Sequence, residues 1–194
     1  ELLNDYIWLK ERVNNPILRT LFHSVAGYFV ALGIRTIPRH LRGGNINTPM
    51  RITALEPAYY VDPLNNDMLV EHPAGSVLFE GQATVASVGS VPYYGYAIRM
   101  FPFAGQKPGT FQLRVASMSV TRVLANLGAI WRGNYRDPRG VFDFLCRRIR
   151  IESDAPLPFQ IGGDGVGYRT SLEFQVDEFP IPLVNMGPAL MAAK

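Results

Sequence analysis

Residues 159–169 read Phe-Gln-Ile-Gly-Gly-Asp-Gly-Val-Gly-Tyr-Arg, so four glycines surround one carboxylate, Asp164. Glycine accepts the positive φ angles that tight turns require. In residues 170–177 an apolar side chain occupies every second position, which predicts a strand after the glycines. A phosphate-binding glycine loop opens a helix instead. We therefore interpret this stretch as a hairpin turn, in which Asp164 is either an active-site acid or an ordinary turn residue. The predicted turn glycines are Gly162, Gly163 and Gly165.

A hydrophobic period of two runs through most of the chain after residue 50. Short strand-like segments separated by Gly, Pro and Asn predict a mainly β domain of the α+β class, with a sandwich-like arrangement of sheets. One helix, over residues 120–131, and a polar loop, over residues 132–139, interrupt the strands. The predicted strands are residues 50–55, 76–79, 83–88, 97–100, 110–115, 147–152, 158–161, 170–177 and 182–185.

The N-terminal part of the chain has a different hydrophobic pattern. Apolar side chains recur at helical spacing between Leu18 and Leu32, and Pro38 ends the pattern. We predict a helix that packs on the sheet, because its apolar run is too short to cross a bilayer. We expect a single domain over residues 1–194, with a helical segment at 1–40 and a β-rich part at 50–187.

Composition narrows the class of protein. A chain of 194 residues with 47% hydrophobic and 18% charged residues can bury a core. The single Cys146 excludes an internal disulfide, and the three histidines lack metal-ligand spacing, so no metal site is predicted. The net charge is +3, and the basic residues are mostly Arg, which binds phosphate well. They do not alternate with aromatics as in a nucleic-acid groove, so no nucleic-acid partner is expected.

Several short motifs follow one another along the chain: the Tyr- and Gly-rich turn in 86–96, Phe-Pro-Phe-Ala at 101–104, residues 108–113, Gly-Asn-Tyr at 133–135 and residues 160–164. Their order resembles the C-terminal domain of the diacylglycerol kinase and sphingosine kinase family. The resemblance covers roughly residues 50–185. It departs from the family where Asp-Gly-Glu is replaced by Gly162-Gly163-Asp164, and where an Asp-Gly pair of many bacterial members is replaced by Pro108-Gly109.

The resemblance implies the substrate side of an ATP-dependent lipid kinase that phosphorylates a lipid hydroxyl. Asp164 would be the catalytic base, and Arg169 or the Arg147/Arg148 pair would hold anionic phosphate. The tyrosines of the turn would contact the acyl chain. These substrate-binding tyrosines are Tyr93, Tyr94 and Tyr96.

The same resemblance implies the cofactors and partners. ATP and Mg²⁺ are expected for the complete enzyme, in a nucleotide-binding domain of the same or another chain, and neither is expected to bind this chain alone. A lipid substrate and an anionic membrane surface are the other expected partners. Residues 1–15 lack the apolar core of a signal peptide, so we expect a cytoplasmic or membrane-peripheral protein. The alternative, which both motif changes favour, is a non-catalytic lipid or small-ligand binding module of the same fold.

Overall fold

The computed structural model describes residues 47–94 and 97–179, and β-strands dominate them. The two helices described, α1 (Val120–Ala125) and α2 (Leu127–Trp131), lie between the sixth and seventh strands. The strands are β1 (Thr48–Ala54), β2 (Ala58–Asp62), β3 (Met68–His72), β4 (Val77–Ala83), β5 (Val85–Gly89), β6 (Phe111–Ala116), β7 (Val141–Cys146), β8 (Arg148–Ile161) and β9 (Asp164–Gln175).

These strands form two antiparallel sheets. One sheet has four strands in the order β4-β1-β8-β9, and the other has five in the order β3-β2-β7-β6-β5. Single residues connect the sheets, because Thr84 separates β4 from β5 and Arg147 separates β7 from β8. The chain therefore passes directly from one sheet to the other at two corners. The mainly β, sandwich-like fold predicted from the sequence is confirmed.

The main core lies between the two sheets. Ile52 of β1, Leu113 of β6 and Ile149 of β8 are fully buried there. Each such side chain contributes roughly 1.5–3 kcal/mol by leaving water. The alternation of apolar and polar residues in β1 and β8 places these side chains inward, which is the pattern that the sequence shows.

The opposite face of the five-stranded sheet is covered as well. Phe103, from the loop between β5 and β6, packs with Val61 and Leu145. Val123 of α1 and Ile130 of α2 pack near Ala116, Met118 and Val141. All six residues of β6 are buried, so this strand has core on both of its faces.

Four details of the sequence prediction are wrong. Residues 97–100 are not a strand, because Ala97 has a φ of 59° and Arg99 donates its N–H to the Trp131 carbonyl, which keeps this segment in a loop. The predicted helix is divided at Asn126, whose side chain donates to the Arg122 carbonyl at 2.9 Å. Residues 147–152 and 158–161 belong to one strand, β8. The prediction also missed β2, β3 and β7.

The predicted helical segment at 1–40 and the predicted strand at 182–185 lie outside the described residues. Within the described part of the chain, neither helix has the length and apolar character needed to cross a membrane.

Candidate functional site

The hairpin of β8 and β9 extends beyond the rest of its sheet. β1 pairs with residues 149–152 of β8 only, whereas β8 and β9 stay paired as far as Ile161 and Asp164. Residues 153–170 are therefore a two-stranded ribbon, which we call the arm. Its pairing shifts register between Glu152 and Leu157, and again between Phe159 and Gln160.

The arm ends in a two-residue turn. Gly162 and Gly163 have φ angles of 60° and 99°, and Ile161 pairs with Asp164 across them. Positive φ at both central residues is the signature of a type I′ turn, whose twist matches that of the flanking strands. Gly165 already lies in β9, and a Cβ atom there would meet nothing within 4 Å. The turn therefore needs glycine at its centre and not at position 165.

Asp164 begins β9 at the end of the arm, and its side chain is exposed. None of the ion pairs formed among residues 47–94 and 97–179 includes it. A carboxylate in this position keeps its water shell and is accessible to a ligand. It is not held in a cluster of acids or cations by the residues described.

The tyrosine-rich loop after β5 meets the arm. The Gln160 side-chain amide donates a hydrogen bond to the Tyr94 hydroxyl, and the Tyr94 N–H donates to the Ile98 carbonyl at 3.0 Å. This contact joins segments 66 residues apart in the chain. Large apolar or aromatic side chains are exposed on both segments. We call them the exposed apolar group: Val91, Tyr93 and Tyr94 from the loop, and Ile161, Val166 and Tyr168 from the arm.

The other predicted substrate-binding residues differ in environment. Tyr96 lies outside the described residues. Arg169 is exposed on the arm, and its guanidinium donates to the Tyr168 carbonyl at 2.8 Å. Arg147 forms an ion pair with Glu56 at 3.2 Å. Of these two arginines, Arg169 is the one whose charge no described carboxylate offsets.

The arginines at the base of the hairpin share one acid. Glu173 forms ion pairs with Arg148 and, at 3.4 Å, with Arg150. The hydrogen bond from Arg148 is the main cause that lowers the pKa of Glu173 below its ordinary value of 4.5. Arg148 is thus engaged by the protein itself and is a poorer choice than Arg169 for an anionic ligand.

Sequence reasoning missed a buried polar group on the outer face of the five-stranded sheet. Arg114 of β6 and Asp143 of β7 are cross-strand neighbours and form a bidentate ion pair at 2.8 and 2.9 Å. Gln112 donates to the same carboxylate at 2.6 Å and accepts from the Phe103 N–H at 2.8 Å. The signal available was one acid inside an apolar run, Val-Phe-Asp-Phe-Leu-Cys at 141–146.

This buried group helps to fix the loop that carries the tyrosines. Phe101 is 3% exposed and lies so close to β5 that a Cβ atom on Gly89 would be 2.3 Å from its ring. The Phe101 N–H donates to the Pro92 carbonyl, one residue before Tyr93. The guanidinium of Arg136 stacks 4.4 Å above the Phe103 ring. The buried face therefore sets where the loop leaves the sheet.

Other chemistry is limited among the described residues. They contain no group of three or more His, Cys, Asp or Glu side chains arranged to hold a metal ion. Cys146 is buried, and burial raises the pKa of its thiol to about 12, so it stays protonated near neutral pH.

By its own elements, the chain is a two-sheet β domain with a protruding arm and an adjoining tyrosine loop. No protein-family model and no curated protein matches the sequence. Among solved structures, the chain is similar to a diacylglycerol kinase from Bacillus anthracis, with 18% identity and a TM-score of 0.45, over 73% of this chain and 44% of that one.

Two putative diacylglycerol kinases from the same organism are also similar. One has 17% identity and a TM-score of 0.48, over 84% of this chain and 47% of that one. The other has 15% identity and a TM-score of 0.43, over 72% and 42%. The chain therefore spans less than half the length of each of these three proteins.

Proposed function

We propose that this chain is the substrate side of a diacylglycerol kinase-like lipid kinase, in which the arm and the tyrosine loop contact the lipid. The observation that carries the proposal is the contact between Gln160 and Tyr94, which joins the two segments that bear the exposed apolar group. Exposed apolar side chains concentrated in one region mark interaction sites on soluble domains. The order of sequence motifs supports a lipid as the ligand.

The residues take the following roles in this proposal. Tyr93 and Tyr94 contact the acyl chain, and the exposed guanidinium of Arg169, which forms no ion pair with a described carboxylate, binds the anionic phosphate. Asp164 accepts the proton of the lipid hydroxyl, which its exposed position allows. ATP and Mg²⁺ are assigned to a nucleotide-binding domain of the same or another chain, because the family that the motif order resembles has such a domain. Together these parts supply the positioned phosphate, metal and base that phosphoryl transfer requires.

Vesicle binding tests the lipid contact. The chain should co-sediment with phosphatidylglycerol vesicles containing diacylglycerol, and binding should weaken as salt rises. Replacing Tyr93 and Tyr94 together with Ser should lower binding about tenfold, because two aromatic side chains leave the interface. The control is Leu64→Ser, which removes an exposed apolar side chain from the turn between β2 and β3. Failure of the chain to bind at low salt, or an equal loss in the control, would contradict the proposal.

A second candidate is the non-catalytic binding module. One observation in its favour is Gly162, which replaces a carboxylate found in the lipid-kinase family that the motif order resembles. The other is that Asp164 takes part in none of the described ion pairs. This candidate keeps the lipid contact and removes the proton transfer. Binding alone therefore does not separate the two candidates, and a catalytic measurement is needed.

Asp164→Asn provides that measurement in a chain joined to its nucleotide-binding domain. If Asp164 is the base, turnover should fall by about two to four orders of magnitude. The unfolding free energy should change by less than about 0.5 kcal/mol, because the side chain is exposed. Asp154→Asn, another exposed acid of the arm, should leave turnover unchanged. An unmodified joined protein with no activity would favour the non-catalytic binding module, whereas full activity in Asp164→Asn would exclude Asp164 as the base.

A further inference from the structure

β9 forms one edge of the four-stranded sheet. Among residues 47–94 and 97–179, β8 pairs with one side of β9 and no strand pairs with the other. An exposed edge presents unpaired N–H and C=O groups and accepts another strand unless it is short, kinked or interrupted. β9 has 12 residues, and the register shift near Glu152 places the extra residues in β8. Residues 168–175 of β9 thus offer a continuous edge without glycine or proline.

The sequence of this edge is complementary to itself in the antiparallel direction. Every second residue of an edge strand points its backbone N–H and C=O toward the free edge. In an antiparallel pair such a residue lies opposite another residue that also points its backbone groups toward the partner. The two-fold axis of a symmetric pair must therefore pass through a residue and not between two residues. Centred on Ser171, the pairing places Arg169 opposite the partner's Glu173. Moving the centre by one residue in either direction removes this match of opposite charges. The other pairs in the Ser171-centred register are Tyr168 with Phe174 and Thr170 with Leu172.

Burial and charge favour this register. Tyr168 is 59% exposed, and the pairing would lay its ring beside the partner's Phe174. Aromatic pairs and opposite charges are among the cross-strand pairs that stabilise sheets most. Arg169 has no described carboxylate partner, and the pairing supplies one. By symmetry each favourable pair occurs twice.

We propose that two copies of this chain associate through their β9 edges, antiparallel and centred on Ser171, so that two four-stranded sheets become one sheet of eight strands. This interface does not require the proposed lipid-kinase function. It uses the edge of β9, including Tyr168 and Arg169 of the arm, so a bound phosphate and the partner chain would compete for Arg169. The loop after β5 lies outside the strand pairing.

Cysteine crosslinking tests the register directly. Residues directly opposite in an antiparallel pair lie about 4.5–5.5 Å apart between Cα atoms, within the span of a disulfide. Ser171→Cys should therefore form an intermolecular disulfide under mild oxidation. The matched control is Gln175→Cys, which is also exposed on β9 but would lie roughly 27 Å from the partner's Gln175 position along the pair. The native Cys146 does not interfere, because it is buried.

Solution mass provides an independent measurement. The unmodified 194-residue chain should have the mass of two chains at micromolar concentration in light scattering. Arg169→Glu places like charges opposite each other twice and should raise the dimer dissociation constant about tenfold. A monomer throughout the micromolar range would overturn the proposal. So would crosslinking of Ser171→Cys no faster than that of Gln175→Cys, which would mean that the edge is covered by another part of the chain or by a different partner.

Discussion

Asp143 and Asp164 are two acids of the same domain with opposite environments, one buried and one exposed. Asp143 lies in a strand covered on both faces, is 5% exposed, and binds Arg114 and Gln112. Asp164 lies at the end of a two-stranded arm with its side chain exposed. A buried acid with several hydrogen bonds is committed to the fold, whereas an exposed acid with no structural partner can be recruited by a ligand. The difference separates the part of the domain that fixes its shape from the part available for binding.

The largest expected effect on stability comes from removing the buried acid, Asp143. Asp143→Ala leaves the Arg114 guanidinium buried without a counter-charge and removes the acceptor of Gln112. Removing one partner of a buried ion pair costs about 3–5 kcal/mol, a large part of the stability of a small domain. The unfolding free energy from urea denaturation, followed by circular dichroism, measures it.

The double variant Arg114→Met with Asp143→Asn is the control for that measurement. It removes both charges and keeps an acceptor for the Gln112 amide. Much of the lost stability should therefore return, because the uncompensated charge is gone. A double variant as unstable as Asp143→Ala would show that the cost comes from packing and not from the unpaired guanidinium.

The sequence predicts the arm well because its signals are local. The two turn glycines and the alternation in residues 170–177 specify a hairpin without reference to the rest of the chain. β7 could not be found in this way. Its residues Val-Phe-Asp-Phe-Leu-Cys do not alternate, because both faces of the strand are buried. The prediction of a strand at 97–100 failed for the opposite reason, since a local pattern was overridden by the hydrogen bond between Arg99 and Trp131.

The candidate site is predictable only in part. The motif order draws attention to Asp164, Arg169 and the tyrosine loop, but the contact between Gln160 and Tyr94 depends on how the two sheets are connected. The same is true of Arg148, whose ion pair with Glu173 appears only once β8 and β9 are aligned. The sequence therefore shows which side chains are available for a site, but it does not show which of them are already bound to other side chains of the protein.

A second, smaller effect on stability tests how the tyrosine-rich loop after β5 is anchored to the sheet. Gly89→Ala would place a methyl group 2.3 Å from the Phe101 ring, so the ring or the strand must move. Overpacking of this kind costs about 1–3 kcal/mol. The matched control is Gly165→Ala on the arm, where a methyl group meets nothing within 4 Å and stability should change by less than about 0.5 kcal/mol. Equal losses in the two variants, measured by urea denaturation, would contradict the distinction between anchored loop and open arm.

The smallest expected effect concerns Glu173, at the base of the arm. Its environment is intermediate between the buried site of Asp143 and the exposed site of Asp164. Its pKa is lowered in the folded protein, mainly by the hydrogen bond from Arg148. A carboxyl group whose pKa is lower in the folded state stabilises the fold above its unfolded value, here 4.5. That stabilisation declines as the pH falls from 4.5 through the lower, folded value, because the native carboxylate then becomes protonated.

Glu173→Gln should therefore be less stable than the unmodified chain at neutral pH, and the difference should shrink below pH 4.5. The effect is small because the side chains of Glu173, Arg148 and Arg150 are all partly exposed, and water screens exposed ion pairs. Urea midpoints measured for both proteins across this pH range give the difference at each pH. The control is Glu71→Gln on β3, which removes an exposed carboxylate from the other sheet. A difference for Glu173→Gln that stays constant with pH would show that Gln alters packing there, and that the ion pairs at the base of the arm contribute nothing measurable.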